Sequence, residues 1–502
     1  MNQTPVTTKM TIVEQAIETT YRRFGKTLPS IGGLTLTHLG AAALALLAPV
    51  IAGSAADNAT AATTAPKPGL QLVKPAWLTD LSIGIKESYD DNVFLGGATS
   101  QNQSWPATVR VPDGSVATLK GQSSFITAVS PKVGLNLAPL LGDQKVVQSL
   151  SFAYNPDFVT YHQASSESYN IHRLIAGVKI KADAFSASFD NTLSAIDGSK
   201  YGVVYPGSLN SAYATGVLRE RRDQVQNRTG ATLQYDLDKW FIRPTASLIN
   251  YDLQTAQLAG VAGYQNYADR HDVNGGGDIG YKIAPKIAAT LGYRYGNQYQ
   301  QAYSTNIDAA QFSSSSDYQR VLVGLEGKPL EWLDVKIQGG PDFRAYGDHA
   351  PVTDQDLTTY YGEASLAATL SPKDTVVFKY KQYQWVSSTG KVPYFDSLFD
   401  LSYKRKLAEG LVFDVGGKFI QSDYTSGLTK LKANNGTTNL RNDGLYVITT
   451  GLTYSFNQYA SVNVSYTANL ARNLQATLPS LTDSSSREYN DNIVSVGATL
   501  KF

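Results

Sequence analysis

The 502-residue sequence contains no cysteine, which excludes a disulfide framework, thiolate metal ligands and thiol nucleophiles. It also lacks an excess of charge of either sign, because 43 basic and 42 acidic residues leave a formal net charge of +1. This balance disfavours a strongly basic nucleic-acid-binding protein and a protein with a polyacidic tail. We therefore expect no nucleic-acid partner.

Histidine is scarce, with only five residues in the chain. His271 and Asp272 form an adjacent pair of imidazole and carboxylate, but neighbours in a strand point to opposite faces and cannot share a proton. The sequence contains neither a serine-centred nucleophile elbow nor a histidine spacing typical of metal sites. We predict that the protein is not an enzyme and that it has no catalytic cofactor.

Long apolar runs are almost absent as well. The exception extends from Leu34 to Ala52, follows Arg22, Arg23 and Lys26, and precedes small residues, which predicts a signal peptide over residues 1–55. A retained transmembrane helix is disfavoured because Pro49 interrupts the run. Residues 56–76, rich in Ala, Thr and Pro, predict a flexible periplasmic lead. Any further membrane crossing must then be made by strands.

The final residues alternate strictly between two kinds of side chain. Val494, Val496, Ala498, Leu500 and Phe502 share one face of a strand, and the residues between them are small or polar. One face suits lipid and the other a wet lumen. The end of the chain, with Gly497, Leu500 and Phe502, resembles the signal by which the barrel-assembly machinery of Gram-negative bacteria recognises its clients. An edge strand of a soluble β-sandwich is the alternative.

Residues 77–502 repeat one unit, in which a strand, a long polar loop, a returning strand and a tight turn follow each other. The 31 tyrosines fit the aromatic girdles of a membrane barrel. Nine hairpins predict an all-β, antiparallel, up-and-down transmembrane barrel of about eighteen strands, of the outer-membrane type. The predicted tight turns are Leu140–Asp143, Ala182–Ala184, Asp236–Asp238, Ala284–Lys286, Lys328–Leu330, Ser371–Lys373, Ala408–Gly410 and Phe456–Gln458.

The segment Ile85–Phe94, which contains Tyr89-Asp90-Asp91-Asn92, forms the first predicted strand and its outer end. It resembles the opening strand of the β-barrel porin 2 family of outer-membrane proteins. This resemblance implies an integral outer-membrane location and a barrel fold rather than a particular substrate. Some neighbours of that family are associated with polysaccharide export, which makes an export barrel the alternative function.

Closure of the barrel predicts a candidate ion site. If the first and last strands pair, Asp90 and Asp91 lie near Asp491 at the outer rim. Several carboxylate and amide oxygens would then share a small region, which suits Ca²⁺. The alternative is a solvated acidic rim whose Asn and Asp residues terminate strands.

Basic side chains recur on the face predicted to line the lumen. They outnumber the acidic ones, which would favour anions in a narrow pore unless cross-strand pairs neutralise them. The candidates for selectivity are Arg243, Arg294, Arg320, Lys336, Lys379, Lys381 and Lys418. The long loop Asp197–Val217, with three tyrosines and Pro206, either folds inward to narrow the pore or lies exposed on the surface.

These patterns predict a porin-like channel for passive diffusion of small, anionic solutes. An exopolysaccharide exporter and a surface-structural barrel with a blocked lumen are the alternatives. The expected partners are outer-membrane lipid, the barrel-assembly machinery, and small solutes or polysaccharide. Oligomers are common among diffusion porins, but the sequence contains no interface signature.

Overall fold

The structure, a computed structural model, describes residues 30–31, 34–35, 74–93, 95, 107–110, 116–119, 123–141, 145–198, 203–204, 221–254, 269–301, 303–305, 308–312, 314–347, 356–386, 393–423, 442–474 and 489–502. The chain divides into two units, Met1–Pro75 and Ala76–Phe502. In the first unit Ser30–Ile31 pairs with Leu34–Thr35. The rest of the predicted signal segment, and the predicted lead up to residue 73, lie outside the described residues. No described helix is long and apolar enough to cross a membrane.

The second unit is a closed antiparallel barrel of 18 strands, which confirms the predicted fold class and strand number. Each strand pairs with its neighbours in sequence, and the last strand pairs with the first. The third strand is interrupted at Asn155 and Pro156. The strands are β1 (Leu78–Asp90), β2 (Ser124–Asn136), β3 (Val147–Tyr154 and Asp157–Tyr161), β4 (Tyr169–Ala182), β5 (Phe185–Asp197), β6 (Gln224–Leu237), β7 (Trp240–Leu253), β8 (Arg270–Ala284), β9 (Ile287–Gln300), β10 (Ser316–Leu330), β11 (Leu333–Tyr346), β12 (Asp356–Ser371), β13 (Asp374–Trp385), β14 (Tyr394–Ala408), β15 (Leu411–Asp423), β16 (Asn442–Ser455), β17 (Ala460–Asn473) and β18 (Tyr489–Lys501).

Apolar side chains cover the outside of the barrel. In β18 the exposed fraction is 54% for Val496 and 51% for Leu500, whereas Ser495 on the opposite face is 7% exposed. Polar and charged residues such as Asp342 and Arg344 are buried inside. A soluble sandwich has the reverse arrangement, so this distribution is that of a barrel whose exterior faces lipid.

Exposed aromatic rings form two belts on this exterior. Trp240, Trp332 and Tyr459 lie at the end of the barrel with the short turns, and Tyr299 and Tyr360 lie toward the other end, which we call the long-loop end. An aromatic ring with a polar edge is most stable where hydrocarbon meets water. The two belts therefore mark the two boundaries of a membrane-spanning band.

The predicted tight turns fall between consecutive strands, with two differences. The first lies within a longer connection that includes a 3₁₀ turn over Ala138–Leu141. The predicted turn Lys328–Leu330 is the last part of β10, and the chain reverses at Glu331 and Trp332 instead. The turn lies later in the sequence than predicted because β10 contains a β-bulge. The pairing of β10 with β11 shifts register between Gly327 and Leu330, and such a bulge adds a residue to one strand.

This bulge requires a glycine at position 327. Its φ is +133°, and a Cβ at this position would lie 1.9 Å from the carbonyl oxygen of Lys286. We expect Gly327→Ala to destabilise the barrel by more than about 1 kcal/mol, because the backbone conformation excludes a side chain. Urea unfolding followed by tryptophan fluorescence measures the change. Gly417→Ala is the matched control, since nothing lies within 4 Å of its Cβ position. Equal effects of the two variants would contradict this explanation.

Candidate functional site

The lumen of the barrel contains a cavity with a volume of about 650 Å³, lined by side chains from β6 to β18. Alternation along each strand sends every second side chain to this face. The three acidic residues of the lining are Asp272, Asp396 and Asp443. The five cationic ones are Arg228, Arg270, Arg294, Arg320 and Lys381. The cavity thus carries more cationic than anionic side chains.

One group of charges beside the cavity is internally neutral. Arg243 binds Asp278 through Nε at 3.0 Å and binds Glu326 through both terminal nitrogens at 2.8 and 2.9 Å. Arg294 also contacts Asp278, at 2.7 Å. Two guanidinium groups and two carboxylates therefore compensate each other in the wall. This network matches the alternative in which cross-strand pairs neutralise the basic residues.

A second group retains a positive charge. Arg320 and Arg344 both bind the same oxygen of Asp342, at 2.9 and 3.1 Å, and Asp342 is fully buried. The ring of Tyr318 lies near both guanidinium carbons, at 4.0 and 4.8 Å from its centroid. Tyr361 contributes a further ring 4.6 Å from Arg320. The two guanidinium groups share one carboxylate, so this group keeps a net positive charge. The faces of the neighbouring aromatic rings stabilise that charge through cation–π contacts.

The third group combines cations with aromatic rings. Arg228 donates to the hydroxyl of Tyr251 at 2.7 Å. Arg270 lies between the rings of Tyr251 and Trp385, 4.8 and 5.0 Å from their centroids, and donates to the carbonyl of Val386. Because β7 and β13 are not neighbours in the barrel, the contact between Tyr251 and Trp385 crosses the lumen.

Lys381, on β13, completes this third group. Its Nζ lies 4.9 Å from the centroid of the Tyr383 ring. Within the described part of the chain, neither Lys381 nor Arg228 forms an ion pair. The acids nearby are already engaged: Asp272 accepts hydrogen bonds from Tyr318 and Gln298, and Asp396 accepts from Ser422 and Tyr383. Arg228 and Lys381 therefore contribute positive charge to the cavity that no carboxylate of the described residues pairs with directly.

The predicted selectivity residues fall into three sets. Arg294, Arg320 and Lys381 line the cavity, and Arg243 is neutralised in the wall beside it. Lys336, Lys379 and Lys418 lie on the inner face but outside the cavity lining. Lys336 and Lys379 are exposed, and Lys418 is half-buried, 3.8 Å from Asp400. Their part in selectivity stays a prediction.

Sequence reasoning missed three residues of the site: Arg270, Tyr251 and Trp385. Alternation along β8 could have identified Arg270, because Arg270, Asp272 and Asn274 at the start of this strand lie on the same face as Asp278. His271 points outward and stacks on Tyr299, so it and Asp272 lie on opposite faces of the strand, as expected.

An apolar cluster occupies the inside of the barrel near its seam, the pairing of β1 with β18. We call it the seam cluster. It is formed by the buried residues Val93, Leu95, Ile126, Ala128, Val159, Tyr161, Ala164, Ala471 and Tyr489. Val93 and Leu95 follow β1 in sequence, so the chain turns into the barrel after this strand. The seam cluster therefore closes part of the long-loop end with apolar side chains.

A buried ion-pair group holds other segments against the seam cluster. Glu167 accepts hydrogen bonds from Arg221 and Arg222, each at 3.1 Å, and Arg221 also donates to the carbonyl of Val93 at 2.7 Å. Burial lowers the pKa of a guanidinium, but the anionic neighbours offset this effect and the pKa of Arg221 lies above its ordinary value. The group joins three segments that are far apart in sequence. Residues 199–202 and 205–217 of the predicted constriction loop, Asp197–Val217, lie outside the described residues.

The seam also brings together the three predicted rim carboxylates. Each of Asp90, Asp91 and Asp491 offers one oxygen, and these oxygens lie within 4.8 Å of one another. At the opposite end of β18, the amide of Phe502 donates to the carbonyl of Leu81, and Leu500 and Phe502 face outward. The part of Gly497, Leu500 and Phe502 in assembly stays a prediction.

No protein-family model and no curated protein matches the sequence. Among solved structures, the chain is similar to Pseudomonas aeruginosa OccK5 (OpdH), with 12% sequence identity, 84% of this chain and 98% of that chain covered, and a TM-score of 0.37. It is also similar to P. aeruginosa OccK2 (OpdF) in complex with glucuronate, with 11% identity, 85% and 99% covered, and a TM-score of 0.36. For Acinetobacter baumannii OccAB2 the identity is 11%, the coverage 86% and 100%, and the TM-score 0.34. At this level of similarity, the function of the chain has to be argued from its own residues.

Proposed function

We propose that the chain is an integral outer-membrane channel through which small anionic solutes diffuse. The apolar exterior and the two aromatic belts support a membrane-spanning barrel that contacts lipid directly. The sequence adds the predicted signal over residues 1–55 and the predicted assembly signal at Gly497, Leu500 and Phe502, so the barrel-assembly machinery is the expected partner. Membership in the β-barrel porin 2 family, suggested by Tyr89-Asp90-Asp91-Asn92, stays a prediction.

The observation that carries the anion preference is the third group of the cavity. Arg228, Arg270 and Lys381 line one space, where five cationic side chains face three carboxylates, and Arg228 and Lys381 form no ion pair among the described residues. Cationic groups in a narrow, low-dielectric passage lower the barrier for anions. The rings of Tyr251 and Trp385 add flat apolar surface beside the charges, which favours an anion attached to a ring.

The size of the cavity supports small solutes over a polymer. Its volume of about 650 Å³ lies in the range of sites that hold one small molecule. The contacts of Trp385 with Tyr251 and of Gln298 with Gln384 cross the lumen and obstruct part of it. A polysaccharide chain would need a continuous track, whereas a monosaccharide or a small carboxylate fits between these contacts.

Liposome swelling tests the proposal with three sugars of similar size that differ in charge. We expect a hexuronate to enter faster than the corresponding neutral hexose, and the hexosamine to enter slowest. The hexuronate carries one negative charge, the hexose none and the hexosamine one positive charge. The measurement uses the same liposomes with and without reconstituted barrel. Equal rates for the three solutes would contradict anion preference, and no swelling with any of them would favour a barrel with a blocked lumen.

A further inference from the structure

We propose that a calcium ion binds at the seam of the barrel, between Asp90, Asp91 and Asp491. The proposal is independent of the channel function, because none of these residues lines the cavity. The pairing of β1 with β18 creates the juxtaposition: Ile493 lies opposite Asp90, and the amide of Asp91 donates to the carbonyl of Asn492. Residues about 400 positions apart thus form one group.

Three carboxylates stand close together without a cation to balance them. Their nearest oxygens lie within 4.8 Å of one another, and Asp90 and Asp491 are only 3% and 1% exposed. In the described ranges none of the three forms an ion pair. Arg221 influences Asp90 electrostatically, but its own hydrogen bonds go to Glu167 and to the carbonyl of Val93. Buried carboxylates repel each other unless a cation or a proton lies between them.

A second observation concerns one of the three carboxylates, that of Asp491. Oδ2 of Asp491 accepts a hydrogen bond from Asn469 at 2.9 Å, whereas its Oδ1 is buried and has no hydrogen-bond donor. A buried carboxylate oxygen without a partner is costly, and nearly all such atoms in proteins have one. A bound cation would supply the missing partner of Oδ1.

The ligand chemistry favours Ca²⁺ over other metal ions. The group consists of carboxylate oxygens and contains no histidine, which disfavours zinc and copper. Mg²⁺ is usually held by one or two carboxylates, whereas three carboxylates with water suit the flexible oxygen coordination of Ca²⁺. Water completes the coordination of Ca²⁺ at exposed sites, and Asp91 is exposed.

Terbium luminescence tests this site directly. Tb³⁺ replaces Ca²⁺ at oxygen sites, and Tyr466 is a built-in sensitiser because its hydroxyl donates to Asn492, which in turn binds Asp91. With the full barrel in detergent free of lipopolysaccharide, we expect tyrosine-sensitised emission that Ca²⁺ displaces at about 10⁻⁴–10⁻³ M, the affinity range of extracellular calcium modules. No Ca²⁺-displaceable emission from the unmodified barrel would overturn the proposal and would favour a proton shared by Asp90 and Asp491.

Two variants identify the ligands. Asp491→Asn keeps the size of the side chain and removes its charge, so we expect Tb³⁺ affinity to fall at least tenfold. Asp317→Asn changes an acid at the long-loop end outside the seam, which accepts a hydrogen bond from Asn297, and it should leave the affinity unchanged. Retention of full affinity by Asp491→Asn, with heat-modifiable mobility showing that it is folded, would also overturn the proposal.

Discussion

A Lys381→Glu channel is expected to lose most of its preference for chloride over potassium. Lys381 lines the cavity and forms no ion pair in the described part of the chain, so its charge acts on a passing ion. A reversal of charge about 6 Å from a permeating ion in a water-like medium raises the energy of chloride and lowers that of potassium, by about 1.4 kcal/mol each, which together correspond to about a hundredfold in the permeability ratio. Reversal potentials in planar bilayers under a salt gradient measure this ratio.

Lys373→Glu is the matched control for this experiment. Lys373 lies in the turn that precedes β13, on the same hairpin but beyond the wall of the cavity, and its side chain is exposed. The same change of charge there should move the ratio only slightly, because salt screens exposed charges over about 10 Å. If both variants change selectivity equally, net charge rather than the cavity determines it.

Glu167→Ala is expected to release the segment that precedes β6. The substitution removes the one carboxylate shared by Arg221 and Arg222, both of which are buried. Removal of one partner from a buried ion pair typically costs about 3–5 kcal/mol, because the remaining charges stay uncompensated. We expect a lower temperature of unfolding and rapid cleavage by trypsin after Arg221 and Arg222, which are shielded in the unmodified barrel. Mass spectrometry of the fragments identifies the cleaved bonds.

Glu331→Ala provides the comparison for Glu167→Ala. Glu331 forms an ion pair with Lys286 at the short-turn end, and both side chains are exposed. Exposed pairs of this kind add little to stability, so the unfolding temperature should not change measurably. Resistance of the Glu167→Ala barrel to trypsin at Arg221 and Arg222 would show that other contacts hold this segment.

The fold was predictable because its signals are local. Alternation of Val494, Val496 and Leu500 with small or polar residues assigns each side chain to a face, and the turn residues count the hairpins. The turn predicted at Lys328–Leu330 is the exception, because the β-bulge at Gly327 moves the turn to later residues. A bulge depends on how two strands pair, and Gly327 alone does not reveal the positive φ that it adopts.

The candidate site was predictable only in part, because alternation gives the face of a side chain and not its surroundings. Arg243 and Arg320 were placed correctly inside, but their partners Glu326 and Asp342 decide which of them keeps a net charge. Trp385 on β13 contacts Tyr251 on β7, with five strands between them in the barrel wall, and no local sequence pattern predicts a contact over that separation. The proximity of the three carboxylates at the seam could be predicted, because closure of a barrel makes its first and last strands neighbours.

The reversal potential of the unmodified barrel under a tenfold gradient of potassium chloride tests the central claim most directly. A barrel whose cavity presents Arg228, Arg270 and Lys381 to the solute should show open steps with a reversal potential of the sign for chloride permeation. A reversal potential of the sign for potassium, or a barrel that never conducts, would contradict the assignment of this lumen as a passage for anions.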